Sequence, residues 1–404
     1  METHQTTSTD DALPPSLVAL LAIGAGLSAA ALYYNQPVLD VIARELRVSA
    51  SDIGIVPMLT QLGYATGLFV FAPLGDRFDR RRVIVVKALL LGVALIVAGL
   101  AGDLAVLGLA SFAIGLSATL AQDLVPAAAV LAAPQRRGKA VGSVMTGLLL
   151  GILLSRVVSG AVASRGDWRW VFFGAAALEW TLAAVCASRL PRFAPTTHER
   201  YTALLGSMLT LVKQHGPLRR AALAQGLVSV AFSGFWSTLA IVLAAPPFEL
   251  GSVWAGAFGI AGAAGAIAAP IAGGLADRRG PDVVIRIGIG IVLASFVALA
   301  ITPSSLVVLV IATLTFDLGV SLSLVSHQTI VYGIDPAARS RLNALLVTAM
   351  FLGMAAGAAI AARVCEAWGL RGVATFAACA ALLALLVRLT PSRRPPQAHA
   401  DRRP

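Results

Sequence analysis

Twelve apolar stretches, each long enough to cross a bilayer as a helix, divide this chain of 404 residues into two sets of six. They fall at 16–40, 52–74, 83–101, 104–131, 139–163 and 169–189, then at 220–244, 252–275, 282–302, 305–333, 342–364 and 371–389. A hydrocarbon core about 30 Å thick takes roughly 20 residues of helix, and lipid offers an open backbone no hydrogen-bond partner. The sequence therefore predicts an all-α membrane protein of twelve transmembrane helices in two pseudo-symmetric six-helix halves. A composition of 58% hydrophobic and 13% charged residues, with a mean hydropathy of +0.83, excludes an ordinary soluble domain. The implied organisation is a tail at 1–15, a first half at 16–189, a connecting segment at 190–219, a second half at 220–389 and a tail at 390–404.

Charge sets the expected orientation. With the N-terminus on the inner side, 24 of the 31 Lys and Arg residues fall inside, 6 outside and 1 within a span, while the acids divide 10, 7 and 3. That is the positive-inside distribution, so both termini are expected in the cytoplasm of a plasma (inner) membrane protein. It also accounts for the net charge of +11 without a nucleic-acid partner. Trp168, Trp170, Trp254 and Trp368 sit at outer span ends, as interfacial anchors do. Residues 1–15 are polar and lack Lys and Arg, so they read as a retained tail rather than a secretory leader.

In the connecting segment, Tyr201, Leu204, Leu205, Met208, Leu209 and Val212 keep the spacing of one helix face. This predicts an amphipathic helix on the inner leaflet, the alternative being a linker that only tethers the halves. Cys186, Cys365 and Cys379 fall within spans or at a span end, which argues for small apolar residues rather than disulfides or metal ligands.

Two loops carry a shared pattern. Asp76, Arg77, Arg80 and Arg81 lie between spans two and three; Gly273, Asp277, Arg278 and Gly280 lie between spans eight and nine, with the two aspartates 201 residues apart. A matched pair at equivalent places marks a six-span unit written twice. On these residues the chain resembles the major facilitator superfamily of transporters, over residues 16–390. The superfamily's loop signature is Gly-x-x-x-Asp-Arg-x-Gly-Arg-Arg, and Ala72 and Asp79 stand where the first copy would carry glycine. The resemblance implies that the loops latch the cytoplasmic gate, with Asp76 near the start of span eleven and Asp277 near the start of span five. For the arginines a role as topology signals alone is the competing reading.

Span five adds Gly151, Ser155, Arg156, Ser159 and Gly160, which overlay the exporter motif Gly-x-x-x-Gly-Pro-x-x-Gly-Gly with Arg156 in place of proline. Ser111 stands where drug exporters usually carry an arginine in span four. Tyr33, Tyr34, Asn35, Gln36 and Pro37 in span one, and the opening of span eleven from Arg339 to Asn343, are similar to the sugar and nucleoside efflux permeases.

Arg156, Asp123, Glu179 and Asp317 fall within hydrocarbon, where each costs about 2.5 kcal/mol or more unless paired or wet. Asp123 and Arg156 differ by roughly 15 Å in height at 1.5 Å per residue. Glu179, Asn35, Gln36 and Asp40 are therefore better-placed neighbours for Arg156. Arg156 reads either as an anchor for an anionic or polar group of a solute or as half of a buried ion pair. Proton coupling needs a carboxyl whose charge changes between the two sides of the membrane, which makes Asp123, Glu179 and Asp317 the candidates and His327 a further one. Trp236, Phe232, Phe235, Gln225, Gln61 and Tyr64 are candidate cavity residues.

Together these features predict a secondary active transporter that moves a small organic solute by alternating access, with proton-antiport efflux as the first expectation. An uptake symporter or facilitator, or a transport-inactive receptor on the same scaffold, are the alternatives. The chain carries no HExxH, GxSxG or GxxxxGK[ST] motif, which speaks against an enzyme. No cofactor or metal is expected, and the protein is expected to act as a monomer.

Overall fold

The computed structural model describes residues 14–390 except 72, 134, 196, 198, 261–273, 276–277 and 336–337, and residue 76 by its backbone alone. The first half comprises α1 (Pro15–Ala30), α2 (Leu39–Leu46), α3 (Ile55–Phe71), α4 (Arg80–Gly99), α5 (Leu104–Ala118), α6 (Ala121–Leu131), α7 (Arg137–Arg165) and α8 (Arg169–Arg189). The connecting segment holds α9 (Tyr201–Gln214). The second half comprises α10 (Gly216–Ala244), a helical run at 252–260, α11 (Pro281–Ile301), α12 (Leu306–Tyr332) and α13 (Arg339–Leu389).

Among the described residues, nine helices are long and apolar enough to cross a membrane. The 51-residue α13 bends at Gly369, where a φ of 56° suits a residue without Cβ, and so supplies two crossings. With α1 and the run at 252–260, the helices follow the twelve-span reading.

Two spans that read as continuous are broken. The apolar stretch at 16–40 leaves the α-helix at Ala30, turns through Tyr33 and Tyr34, and resumes through a short 3₁₀ turn at Gln36–Val38. Pro37 fits the start of that turn, where a missing N–H costs nothing. Buried backbone released by such a break has to find a partner in the protein, and Ser159 of α7 donates its hydroxyl to the Tyr34 carbonyl. Span four is likewise divided into α5 and α6, with Pro126 inside α6 and Asp123 in its first turn. An acid suits that helix end.

Glycine sets the closest helix crossings. A Cβ on Gly151 of α7 would stand 2.1 Å from the carbonyl oxygen of Gly26 on α1. In the second half, a Cβ on Gly353 of α13 would stand 2.1 Å from the carbonyl oxygen of Gly226 on α10. These pairs lie 200 and 202 residues apart in sequence, so the duplication extends to backbone contacts.

Arg80, Arg81, Arg82 and the starts of α7 and α10 mark one end of the bundle, termed the basic face. At the opposite end the halves touch: the Ser51 amide donates to Glu366 at 2.9 Å, and a Cβ on Gly160 of α7 would stand 2.4 Å from the Ser252 carbonyl. Towards the basic face a cavity of about 540 Å³ lies between α3, α4, α6 and the turn before α6 on one side and α12 and α13 on the other. Across this face lies α9. Its Tyr201 hydroxyl donates to the Val70 carbonyl of the first half, while Arg341 of the second half donates to Ser207 at 2.9 Å. Met208 and Leu211 are buried in the cluster that includes Leu218, Leu342 and Leu346.

Candidate functional site

The break in span one puts Tyr33, Asn35 and Gln36 in the interior, facing the part of α7 where Ser155, Arg156 and Ser159 are buried. Arg156 Nε donates to Gln36 Oε1 at 3.0 Å. The guanidinium carbon lies 4.7 Å from the ring centre of Tyr33 and 4.2 Å from that of Trp236, which comes from α10 in the other half. The Trp236 indole N–H then donates to Asp317 Oδ1 of α12 at 3.4 Å. A cation over an aromatic face gains about 0.5–2 kcal/mol. Stacking occupies the faces of the guanidinium and leaves its edge: Arg156 Nη2 and the Gln36 amide nitrogen are both buried with no partner among the described residues. A planar cation with a free edge is suited to a carboxylate or another acceptor-rich group.

An aromatic wall stands behind Trp236. Phe235 and Phe296 each approach Phe316 with ring centres 4.9 Å apart, and Phe232 meets Trp236 at 6.3 Å. On the first-half side, the Asn35 amide donates to Thr60 at 3.1 Å, and both amide atoms of Gln61 are buried without a partner among the described residues. Gln122 donates to the Tyr64 hydroxyl at 3.2 Å.

Asp123 and Arg156 are not joined. Asp123 pairs with Lys87 of α4 at 2.7 Å, both side chains being under 10% exposed. Lys87, which the sequence analysis did not single out, is a further buried charge. The signal for it was its place seven residues after Arg80, two helical turns along one face of α4. Lys87, Asp123, Arg80, Gln122, Arg339 and Asn343 all line the cavity.

Of the neighbours expected for Arg156, Gln36 is the one that bonds to it. Asp40 pairs with Arg44 at 3.1 Å. Glu179 is buried against α1, with Ser28 at 3.2 Å from one oxygen and no partner for the other among the described residues. His327 forms a separate cluster: its Nδ1 lies 2.9 Å from the Ser323 carbonyl and 3.1 Å from Gln225 Oε1. Both are acceptors, so Nδ1 carries a proton, and Nε2 is buried with no hydrogen-bond partner among the described residues. The sequence reading named Gln225 but passed over Ser323, Thr60 and Tyr33 as partners.

In the loop before α4, Asp79 caps the helix, accepting from the Arg81 amide at 3.1 Å and from the Phe193 amide at 3.0 Å. Arg81 donates to the Ala187 carbonyl, and Arg77 lies over the Phe78 ring. Arg80 is buried beside Gly75, where a Cβ would stand 3.1 Å from both Arg80 Nε and Asp123 Oδ1. Arg278 is exposed. Asp277 and the Asp76 side chain, the two acids of the expected latch, lie outside the described residues.

The sequence model of the Major Facilitator Superfamily matches residues 21–334 and 221–404. The transporter YgaY of Escherichia coli O157:H7 is 42% identical over 375 residues, covering 93% of this chain and 95% of that protein. A probable transporter of Streptomyces coelicolor is 30% identical over 359 residues, covering 89% and 83%. Among solved structures, the nucleoside transporter NupG superposes with a TM-score of 0.70 at 16% identity, covering 92% of this chain and 97% of that one.

Proposed function

This chain belongs to the Major Facilitator Superfamily, and from that premise we propose that it exports a small organic solute in exchange for protons by alternately exposing a site centred on Arg156. The observation that carries the proposal is the meeting of Arg156 from the first half and Asp317 from the second on one indole, that of Trp236. In transporters built from repeats, the solute site lies where the repeats meet. Arg156 supplies the donor for an acceptor group of the solute, and Trp236 and Tyr33 supply flat apolar surface. Asp317, when ionised, supplies an acceptor for a hydroxyl or amine.

Coupling follows from competition. A proton on Asp317 removes that acceptor and weakens the hold on such a solute; by reciprocity, bound solute disfavours the proton. The solute and the proton then occupy the site in turn, which is exchange. In this reading Asp76 and Asp277, with Arg77, Arg80, Arg81 and Arg278, brace the gate at the basic face. That face lies in the cytoplasm of the inner membrane with both termini, and the protein works as a monomer.

Arg156 Nη2, which has no partner among the described residues, favours a second reading for a carboxylate solute. Protonating Asp317 would relieve repulsion of an anion and strengthen its binding, and the proton would travel with the solute. The sign of the pH change separates the two. A panel of metabolites and antimicrobials, tested on cells lacking and overproducing the protein, supplies the solute. In vesicles loaded with it, exchange acidifies the lumen as solute leaves and cotransport makes the lumen alkaline. A flux indifferent to the pH gradient would overturn both forms of coupling.

A further inference from the structure

A second site, remote from Arg156, stands on the outer surface of the first half. A pocket of about 310 Å³ lies between the start of α4 and the end of α8, lined by Arg81, Arg82 and Arg192 with Asp79, Val85 and Ala187 among the rest. The acid among the described lining residues is engaged: Asp79 Oδ1 accepts the backbone amides of Arg81 and Phe193. Among the described residues none of the three guanidiniums is paired with a carboxylate. Three cations from two chain segments thus converge on a concave seat.

The surface beyond the pocket is apolar. Val86, Leu89, Leu90, Val93 and Val97 follow one another up α4 at helical spacing and are each at least 40% exposed. Trp180 of α8, also exposed, borders this stripe and donates its indole N–H to the Leu89 carbonyl at 3.3 Å. In a membrane-spanning helix that stripe faces acyl chains, and the helix start faces headgroups.

We propose that this pocket binds the phosphate of an anionic phospholipid, whose acyl chains lie along the exposed stripe of α4 and α8. Arginine forks match phosphate oxygens, and basic residues at the ends of spans attract anionic lipid. A soluble phosphate would use the three arginines but not the stripe. A lipid uses both, and it meets them in the order in which headgroup and chain occur.

The test is native mass spectrometry of the full-length protein taken from bilayers of phosphatidylcholine mixed with phosphatidylglycerol. The wild type is expected to retain phosphatidylglycerol in preference to phosphatidylcholine. The R82Q/R192Q variant is expected to lose that preference, with about a fivefold weakening for each charge removed. R82K/R192K should keep most of it. R165Q, which removes an exposed arginine at the opposite face, should leave it intact. Unchanged lipid preference in R82Q/R192Q would overturn the site, and so would displacement of phosphatidylglycerol by millimolar inorganic phosphate.

Discussion

Arg156 and Asp317 are linked through a single side chain: the guanidinium rests on the face of Trp236, and the carboxylate takes the N–H at its edge. One belongs to each half of the molecule, so any motion between the halves has to carry or break this chain. Trp236→Phe keeps a ring face for Arg156 but removes the donor to Asp317. A lost hydrogen bond to a charged acceptor is worth about 1.5–3 kcal/mol. Solute binding at constant pH should persist in this variant, while the pH dependence of transport shifts. Titration of initial flux against pH measures it.

Arg156→Lys tests the planar edge. An ammonium keeps the charge but loses the fork and the stacking on both rings, so the change is not conservative at this position. Solute affinity is expected to fall about tenfold or more, as 1.4 kcal/mol is one decade. Equilibrium binding in detergent, with thermal unfolding as a control for the fold, separates affinity from stability.

Asp317→Asn should uncouple. With no titrating group there, uphill transport driven by a pH gradient is expected to vanish while solute-for-solute exchange across vesicles survives. Parallel loss of both activities would confine Asp317 to holding solute or to the fold and remove it from coupling.

The Lys87–Asp123 pair is buried at 2.7 Å, and removing one partner strands the other charge. Breaking such a pair costs about 3–5 kcal/mol, whereas replacing both partners with apolar residues is often close to neutral. Lys87→Met alone and Asp123→Leu alone should each lower thermal stability markedly, and the double variant should recover most of the loss. Because both residues line the cavity, flux in the recovered double variant reports whether the pair also serves transport.

Gly151→Ala would push a methyl group to 2.1 Å from a backbone carbonyl, and backbone does not yield as a side chain does. Overpacking costs about 1–3 kcal/mol even in forgiving sites. Gly151→Ala and its counterpart Gly353→Ala are both expected to reduce the yield of monodisperse protein in size-exclusion chromatography. Gly174→Ala, which meets nothing within 4 Å, should not.

The architecture was legible because lipid imposes a length and a hydropathy that sequence displays directly, and because Arg77 and Arg278 follow equivalent acids in two copies of one loop. The height difference between Asp123 and Arg156 was legible too, and it correctly kept them apart. What sequence did not display was facing. Lys87 sits near the start of an apolar run, where hydropathy alone does not say which way it points, and it turns inward to Asp123. Glu179 and Gln36 were equal neighbours of Arg156 on paper; only the break at Tyr33–Pro37 decides between them, by moving Gln36 inward. That break escaped the hydropathy reading because Ala31, Leu32, Tyr33, Tyr34 and Val38 around it outweigh Asn35 and Gln36 in any averaged stretch.

The connecting helix α9 has a mechanical meaning. Its Tyr201 holds the first half and its Ser207 holds the second, and six residues of α-helix separate them by about 9 Å. A helix is stiff over that length, so it acts as a fixed ruler laid across the mouth of the cavity. The mouth cannot change its width along this line until one end of the ruler lets go.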